Sequence, residues 1–99
     1  MRNVVITPRF KKDLKLAQKT PRFKKYAFKF EEYVEKLRTG EALPPEAKNH
    51  LLAKHSKDYQ GCYDFHVAPD VCVVYKMTDD SIELIRIGQH NNLGLTEMF

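Results

Sequence analysis

Nowhere in this sequence do apolar residues run on for the roughly eighteen positions that a membrane-crossing helix needs, so no helical span and no membrane partner are expected. The opening Met1-Arg2-Asn3-Val4-Val5-Ile6 is too short and too soon charged for a signal peptide, and a cytosolic protein is the expectation. Cysteine is scarce, with Cys62 and Cys72 only. The hairpin pairing derived below sets them roughly 13 Å apart, beyond disulfide reach, so both are expected as reduced thiols. No H-x-x-x-H or C-x-x-C pair occurs. A zinc site is conceivable only from the scattered set His50, His66, Asp70 and His90, and no metal is assigned. Acidic residues are nearly missing from the first thirty positions. Asp13 alone stands there against ten lysines and arginines, a balance of +9, while residues 31–99 hold seven basic against twelve acidic, a balance of −5. The net +4 therefore hides a strongly positive third of the molecule, which attracts phosphates or an acidic partner more than a merely solvated helix face needs to.

Ninety-nine residues make one domain, 1–99, with a single core, so a site must be an open groove or dish. Asn3-Val4-Val5-Ile6 reads as a short strand. Thr7-Pro8 then opens a helix, threonine as N-cap and proline at its first position, with Phe10, Leu14 and Ala17 on one face. Thr20-Pro21 repeats the device: Thr7-Pro8-Arg9-Phe10-Lys11-Lys12 recurs as Thr20-Pro21-Arg22-Phe23-Lys24-Lys25. Two helices started by the same chemistry explain the repeat without a solenoid. The second helix buries Phe23, Tyr26, Ala27, Phe30, Val34 and Leu37 and stops at Gly40. Residues 41–58 are the least regular, broken by Leu43-Pro44-Pro45, with Lys48-Asn49-His50-Leu51-Leu52 a helical turn or an extended piece. Three strands follow, about Tyr59–Val67, Asp70–Met77 and Ser81–Gln89, joined as antiparallel hairpins through Pro69 and Asp79-Asp80. The fold class is α+β: an N-terminal strand and an αα-hairpin packed on a small, mostly antiparallel twisted sheet.

Alternation along the first of these strands puts Cys62, Asp64 and His66 on one face and Tyr63, Phe65 and Val67 on the other. With Val67 opposite Val71, Cys72 falls opposite His66. With Val71 opposite Ile87 and Val73 opposite Ile85, Cys72 falls opposite Arg86. That register keeps Val71, Val73, Tyr75 and Met77 in the core. It gathers Asp64, His66, Asp70, Arg86 and His90 on an exposed face.

Those residue types suit RNA cleavage. A base must take the 2′-OH proton, an acid must protonate the leaving 5′ oxygen, and a cation must offset charge on the phosphorane-like transition state. His66 and His90 are candidates for proton transfer, Asp64 and Asp70 for orienters or a base, and Arg86 for the phosphate clamp. A strand histidine is more often a hydrogen-bonded surface residue, and an aspartate after proline an ordinary turn residue. The convergence, not any single residue, makes the case. No motif supports Cys72 as a nucleophile.

Gly61-x-Tyr63-Asp64-x-His66-Val67-x-Pro69-Asp70, then Val73-Val74-Tyr75-Lys76-Met77-Thr78-Asp79, then Arg86-x-Gly88-x-His90, resembles the YafQ branch of the RelE superfamily, bacterial type II toxins that cleave messenger RNA on translating ribosomes. Asp13 to Lys19 and Leu43-Pro44…Lys48-Asn49-His50-Leu51-Leu52 fit as well. The resemblance implies a RelE-like fold and catalytic histidines at His50, His66 and His90 with Asp70 and a supporting Asp64. His55 is the alternative loop histidine. It also implies 2′-OH attack leaving a cyclic phosphate, no cofactor, and contact of Lys11, Lys12, Lys15, Arg22, Lys24 and Lys25 with ribosomal RNA. An acidic antitoxin of the RelB/DinJ kind is the implied partner, in a bacterial cytoplasm. The chain departs from the family pattern with Asn49 where an aspartate is usual and Tyr63 where an arginine is. The C-terminal aromatic of the family has only Phe99 as a counterpart. A basic RNA- or ribosome-binding module without catalysis is the alternative.

Overall fold

The computed structural model describes residues 1–51, 61–69 and 71–89, apart from the side chains of Arg22, His50 and Gln89. Strand β1 (Asn3–Ile6) leads into helices α1 (Pro8–Ala17) and α2 (Pro21–Thr39), a 3-10 turn (Pro45–Ala47), and strands β2 (His50–Leu51), β3 (Tyr63–Ala68), β4 (Val71–Met77) and β5 (Ser81–Gln89). They form the expected α+β arrangement, an αα-hairpin on one sheet of order β1-β5-β4-β3-β2. Every pairing is antiparallel except β1 with β5, where Asn3 lies opposite Ser81 in a parallel ladder.

Both threonine caps form. Thr7 Oγ1 accepts the Phe10 amide at 3.3 Å and Thr20 Oγ1 accepts that of Phe23 at 3.3 Å. Their hydroxyl protons go to different places, Thr20 to the carbonyl of Ala17 and Thr7 across to that of Leu84, each at 2.8 Å. One cap is local; the other ties a helix to the sheet. Gly40 ends α2 at φ 85°, the left-handed conformation that glycine adopts without a Cβ penalty. Arg2, one of the basic block, is structural: its guanidinium donates to the carbonyls of Leu37 and Thr78, both at 2.9 Å.

The core runs from the hairpin into the sheet through aromatic rings. Phe10 stacks on Phe30, Tyr33 meets Phe65 edge-on at 5.6 Å, and Phe65 lies against Tyr75. Tyr33 extends the α2 stripe read from sequence. It is 1% exposed, while Tyr26, Ala27, Phe30 and Val34 are half-buried around it. Val71, Val73 and Tyr75 are in the core as expected, with Met77 packed against it.

Two registers differ from expectation. At the first hairpin His66 does lie opposite Cys72, but a bulge follows and Ala68, not Val67, faces Val71. At the second, Val71 lies opposite Gln89, Cys72 opposite Gly88, Val73 opposite Ile87 and Val74 opposite Arg86. The displacement is two residues and has two causes. Thr78 and Ser81 close on each other, Thr78 N–H to Ser81 O at 2.9 Å and hydroxyl to hydroxyl at 3.0 Å, so the loop is the pair Asp79-Asp80 and one residue shorter than expected. A bulge between Val74 and Tyr75 pairings then adds an unpaired residue, Ile85, on β5. The row His66, Cys72, Arg86 is therefore His66, Cys72, Gly88.

Candidate active site

Alternation along β3 sets Asp64 and His66 on one face two residues apart, and their Oδ2 and Nε2 atoms are 3.6 Å from each other. The neighbouring strand brings His50 to the register position opposite Asp64. Directly opposite positions share a sheet face, so the positions of His50, Asp64 and His66 form one cluster, with Cys72 and Val74 beside it on β4.

That cluster is not on an open face. Asp64 is 0% exposed and His66 6%, and Cys72 and Val74 are fully buried. A buried carboxylate next to an imidazole fits the role of orienting group, since it favours one tautomer. Burial pushes the Cys72 thiol well above its ordinary range, and the Asp64 charge acts in the same sense. Cys72 therefore stays protonated and is no nucleophile. Burial raises the Cys62 thiol as well, and both cysteines are free thiols.

Arg86 differs most from expectation. Its position lies two strands from Asp64, opposite Val74, and its guanidinium grips Asp13 of α1. Nε donates to Asp13 Oδ2 at 2.5 Å and Nη2 to Oδ1 at 3.3 Å, while the Ile87 amide also reaches Oδ2 at 3.3 Å. The reason is local: β1 stops pairing at Ile6 opposite Leu84, so the β5 edge beyond it offers an amide that α1 must satisfy. Sequence reasoning missed Asp13. The signal was its place on the buried stripe Phe10, Asp13, Leu14, Ala17, where a lone acid implies a partner.

The buried Tyr75 donates its hydroxyl to Asn49 Oδ1 at 2.6 Å, anchoring the residue before His50 to the sheet. Asp70, His90, His55 and Phe99 lie outside the described residues, as does the His50 side chain. Of the conceivable zinc set, only the side chain of His66 is described. Lys11, Lys12 and Lys15 on α1 and Lys24 and Lys25 on α2 are exposed; the Arg22 side chain is outside the description. Among the described residues no helix is long and apolar enough to cross a membrane.

The family model for "Bacterial toxin of type II toxin-antitoxin system, YafQ" matches residues 2–95. The chain is 34% identical over 91 residues to the mRNA interferase toxin YafQ of Escherichia coli (strain B / BL21-DE3), spanning 90% of this chain and 91% of that protein. Its fold is similar to the crystal structure of the E. coli DinJ-YafQ toxin-antitoxin complex, with 32% identity, 93% of this chain and 96% of that chain covered, and a TM-score of 0.75. A copper-bound mutant toxin from Helicobacter pylori aligns at 28% identity over 94% of this chain and 99% of its own, with a TM-score of 0.77. Agreement along nearly the whole length, in sequence and in fold, makes this chain a member of the YafQ family of bacterial type II toxin–antitoxin toxins.

Proposed function

We propose that this chain is an endoribonuclease that cuts translated messenger RNA in the ribosomal A site by acid/base catalysis with its own side chains. The observation that carries the reading is the cluster of His50, Asp64 and His66 positions on neighbouring strands, with His66 Nε2 3.6 Å from a buried carboxylate oxygen. In the proposed reaction a base takes the 2′-OH proton, the 2′ oxygen attacks the adjacent phosphorus, and the 5′ oxygen leaves with a proton from an acid. The products are a 2′,3′-cyclic phosphate and a 5′-hydroxyl end. His50, His66, His90 and Asp70 share the proton transfers, Asp64 orients His66, and Arg86, held by Asp13, offsets phosphate charge. No cofactor enters the scheme. The exposed lysines of α1 and α2 meet ribosomal RNA through its phosphates, and the partner is an antitoxin of the DinJ kind, with which a solved relative is complexed.

One observation favours a basic ribosome-binding module without catalysis, namely the burial of Asp64 and His66. Inducible expression separates the two. Native chain, His66→Ala, Asp70→Ala and His90→Ala are compared for growth arrest at matched protein levels, and the ends of cut messages are mapped. Arrest with cut messages that the alanine variants relieve supports the nuclease. Equal arrest by all four, with intact messages, sinks it and leaves the binding module.

A further inference from the structure

Beside the β3 end of the candidate site a cleft of about 310 Å³ lies between α2, the segment after the 3-10 turn, and the stretch His66 to Pro69. A shallower groove of about 420 Å³ runs on from it over Pro21, Lys25, Tyr26 and Pro69. Tyr26 and Pro69 line both, so the two make one depression with a flat aromatic ring and an apolar pyrrolidine along it. Lys25 and Lys29 are four residues apart on the same face of α2. Each places its ammonium 5.7 Å from the centroid of the Tyr26 ring. Lys48 adds charge from the opposite wall, where Glu46 is the one acid among the described lining residues. Lys48 also holds φ 50°, ψ 43°, a left-handed conformation that costs a side-chain-bearing residue energy.

An aromatic ring with lysine ammonium groups over it suits an unpaired nucleotide: a lysine swings from the ring to the phosphate and leaves the face to the base. An acidic peptide would engage the lysines but offers no flat group to the Tyr26–Pro69 wall. We propose that this depression is an RNA subsite that holds one unpaired nucleotide, its base on Tyr26 and its phosphates on Lys25 and Lys29. The inference rests on the RNA-cutting reading above, moves Lys25 from ribosomal RNA to the message, and adds a grip on the message on the α2 side of the turn at Pro69.

The test is binding of a short fluorescein-labelled single-stranded RNA, 2′-O-methylated throughout so that it cannot be cut, followed by anisotropy across a salt series. Tyr26→Ala should weaken binding about tenfold, and Tyr26→Phe should stay near native affinity, because stacking needs the ring and not the hydroxyl. The double variant Lys25→Gln/Lys29→Gln should lower the salt slope by about 1.4, two phosphate contacts on a single strand. It decides the matter even if Tyr26→Ala fails to fold, since circular dichroism checks each variant first. Native affinity and slope in the double variant overturn the proposal. So does a double variant that loses binding to a labelled polyglutamate peptide and none to RNA, which would assign the surface to an acidic partner. Message cleavage on translating ribosomes is read separately. A native chain that grips RNA through Tyr26 yet cuts nothing refutes the nuclease reading and leaves the subsite standing.

Discussion

Asp13 holds Arg86 in a two-pronged ion pair, Oδ2 to Nε at 2.5 Å and Oδ1 to Nη2 at 3.3 Å, and with Oδ2 also takes the Ile87 amide. One carboxylate thus closes the edge of β5 and fixes a guanidinium two strands from Asp64. The Asp13 side chain is 10% exposed and that of Arg86 17%, so water replaces little of the bond if it is broken. Asp13→Ala should lower stability in urea by about 3 kcal/mol, since it strands a partly buried cation and an amide together. Asp13→Asn keeps an acceptor for Ile87 and should cost about half as much. Equal losses in the two variants would show that the ion pair alone matters.

Alkali should destabilise the fold chiefly through two deeply buried groups, with a smaller part from the Cys62 thiol, which burial also raises. Burial, helped by the Asp64 charge, raises the Cys72 thiol, and burial raises the Tyr75 phenol. Both therefore hold their protons more tightly folded than unfolded. The stability this contributes is complete below the unfolded values, about 9 and about 10, and is lost as pH rises past them towards the folded ones. Urea unfolding free energy should decline from about pH 9 by up to about 1.4 kcal/mol per pH unit for each group. Cys72→Ala should remove most of the earlier part of that decline, Cys62 keeping the rest. A curve with the same slope in that variant would clear Cys72 of any part in it.

Tyr75→Phe removes one hydroxyl and with it the 2.6 Å bond to Asn49. The ring contacts with Tyr63 and Phe65 remain. Stability should fall by about 1 kcal/mol, the net worth of one hydrogen bond. Message cutting should fall further than that loss explains, because Asn49 sets the approach to His50. Cutting rates compared at a temperature where both proteins are fully folded provide the check.

The twin caps should be unequal. Thr20→Ala loses a local cap and should cost about 1 kcal/mol. Thr7→Ala loses a cap and the bond to the Leu84 carbonyl, and should cost about 2 kcal/mol. Thermal melts of the two variants side by side would expose the difference, and identical midpoints would mean that the tie to β5 contributes nothing.

Local rules made most of this fold legible. Threonine before proline started both helices where expected, Gly40 stopped the second, and alternation placed Phe65 and Val67 in the core opposite Asp64 and His66. Register over the second hairpin was not legible by assuming unbroken alternation, because that assumption fails at Leu84-Ile85. Two adjacent apolar residues in a strand mark a change of phase, and the bulge sits there. The parallel pairing of β1 with β5 left no local trace, being a contact between residues far apart in sequence. Arg86 reads as a phosphate clamp from its strand alone, because the acid that engages it is 73 positions away. The burial of Asp64 and His66 escaped for the same reason, since exposure belongs to the assembled layers and not to the strand's own pattern.

The first strand finds its only sheet neighbour in the last one described, with Asn3 opposite Ser81 and Ile6 opposite Leu84. Long-range pairing of that kind cannot form until both partners exist, and it slows folding because the intervening loop must close first. During synthesis the helices and the basic block appear well before β5, with Arg86 and the edge that Asp13 seals. Until β5 is made, the sheet lacks the strand that joins β1 to β4, and the segment with Asp13 has no Arg86 to hold.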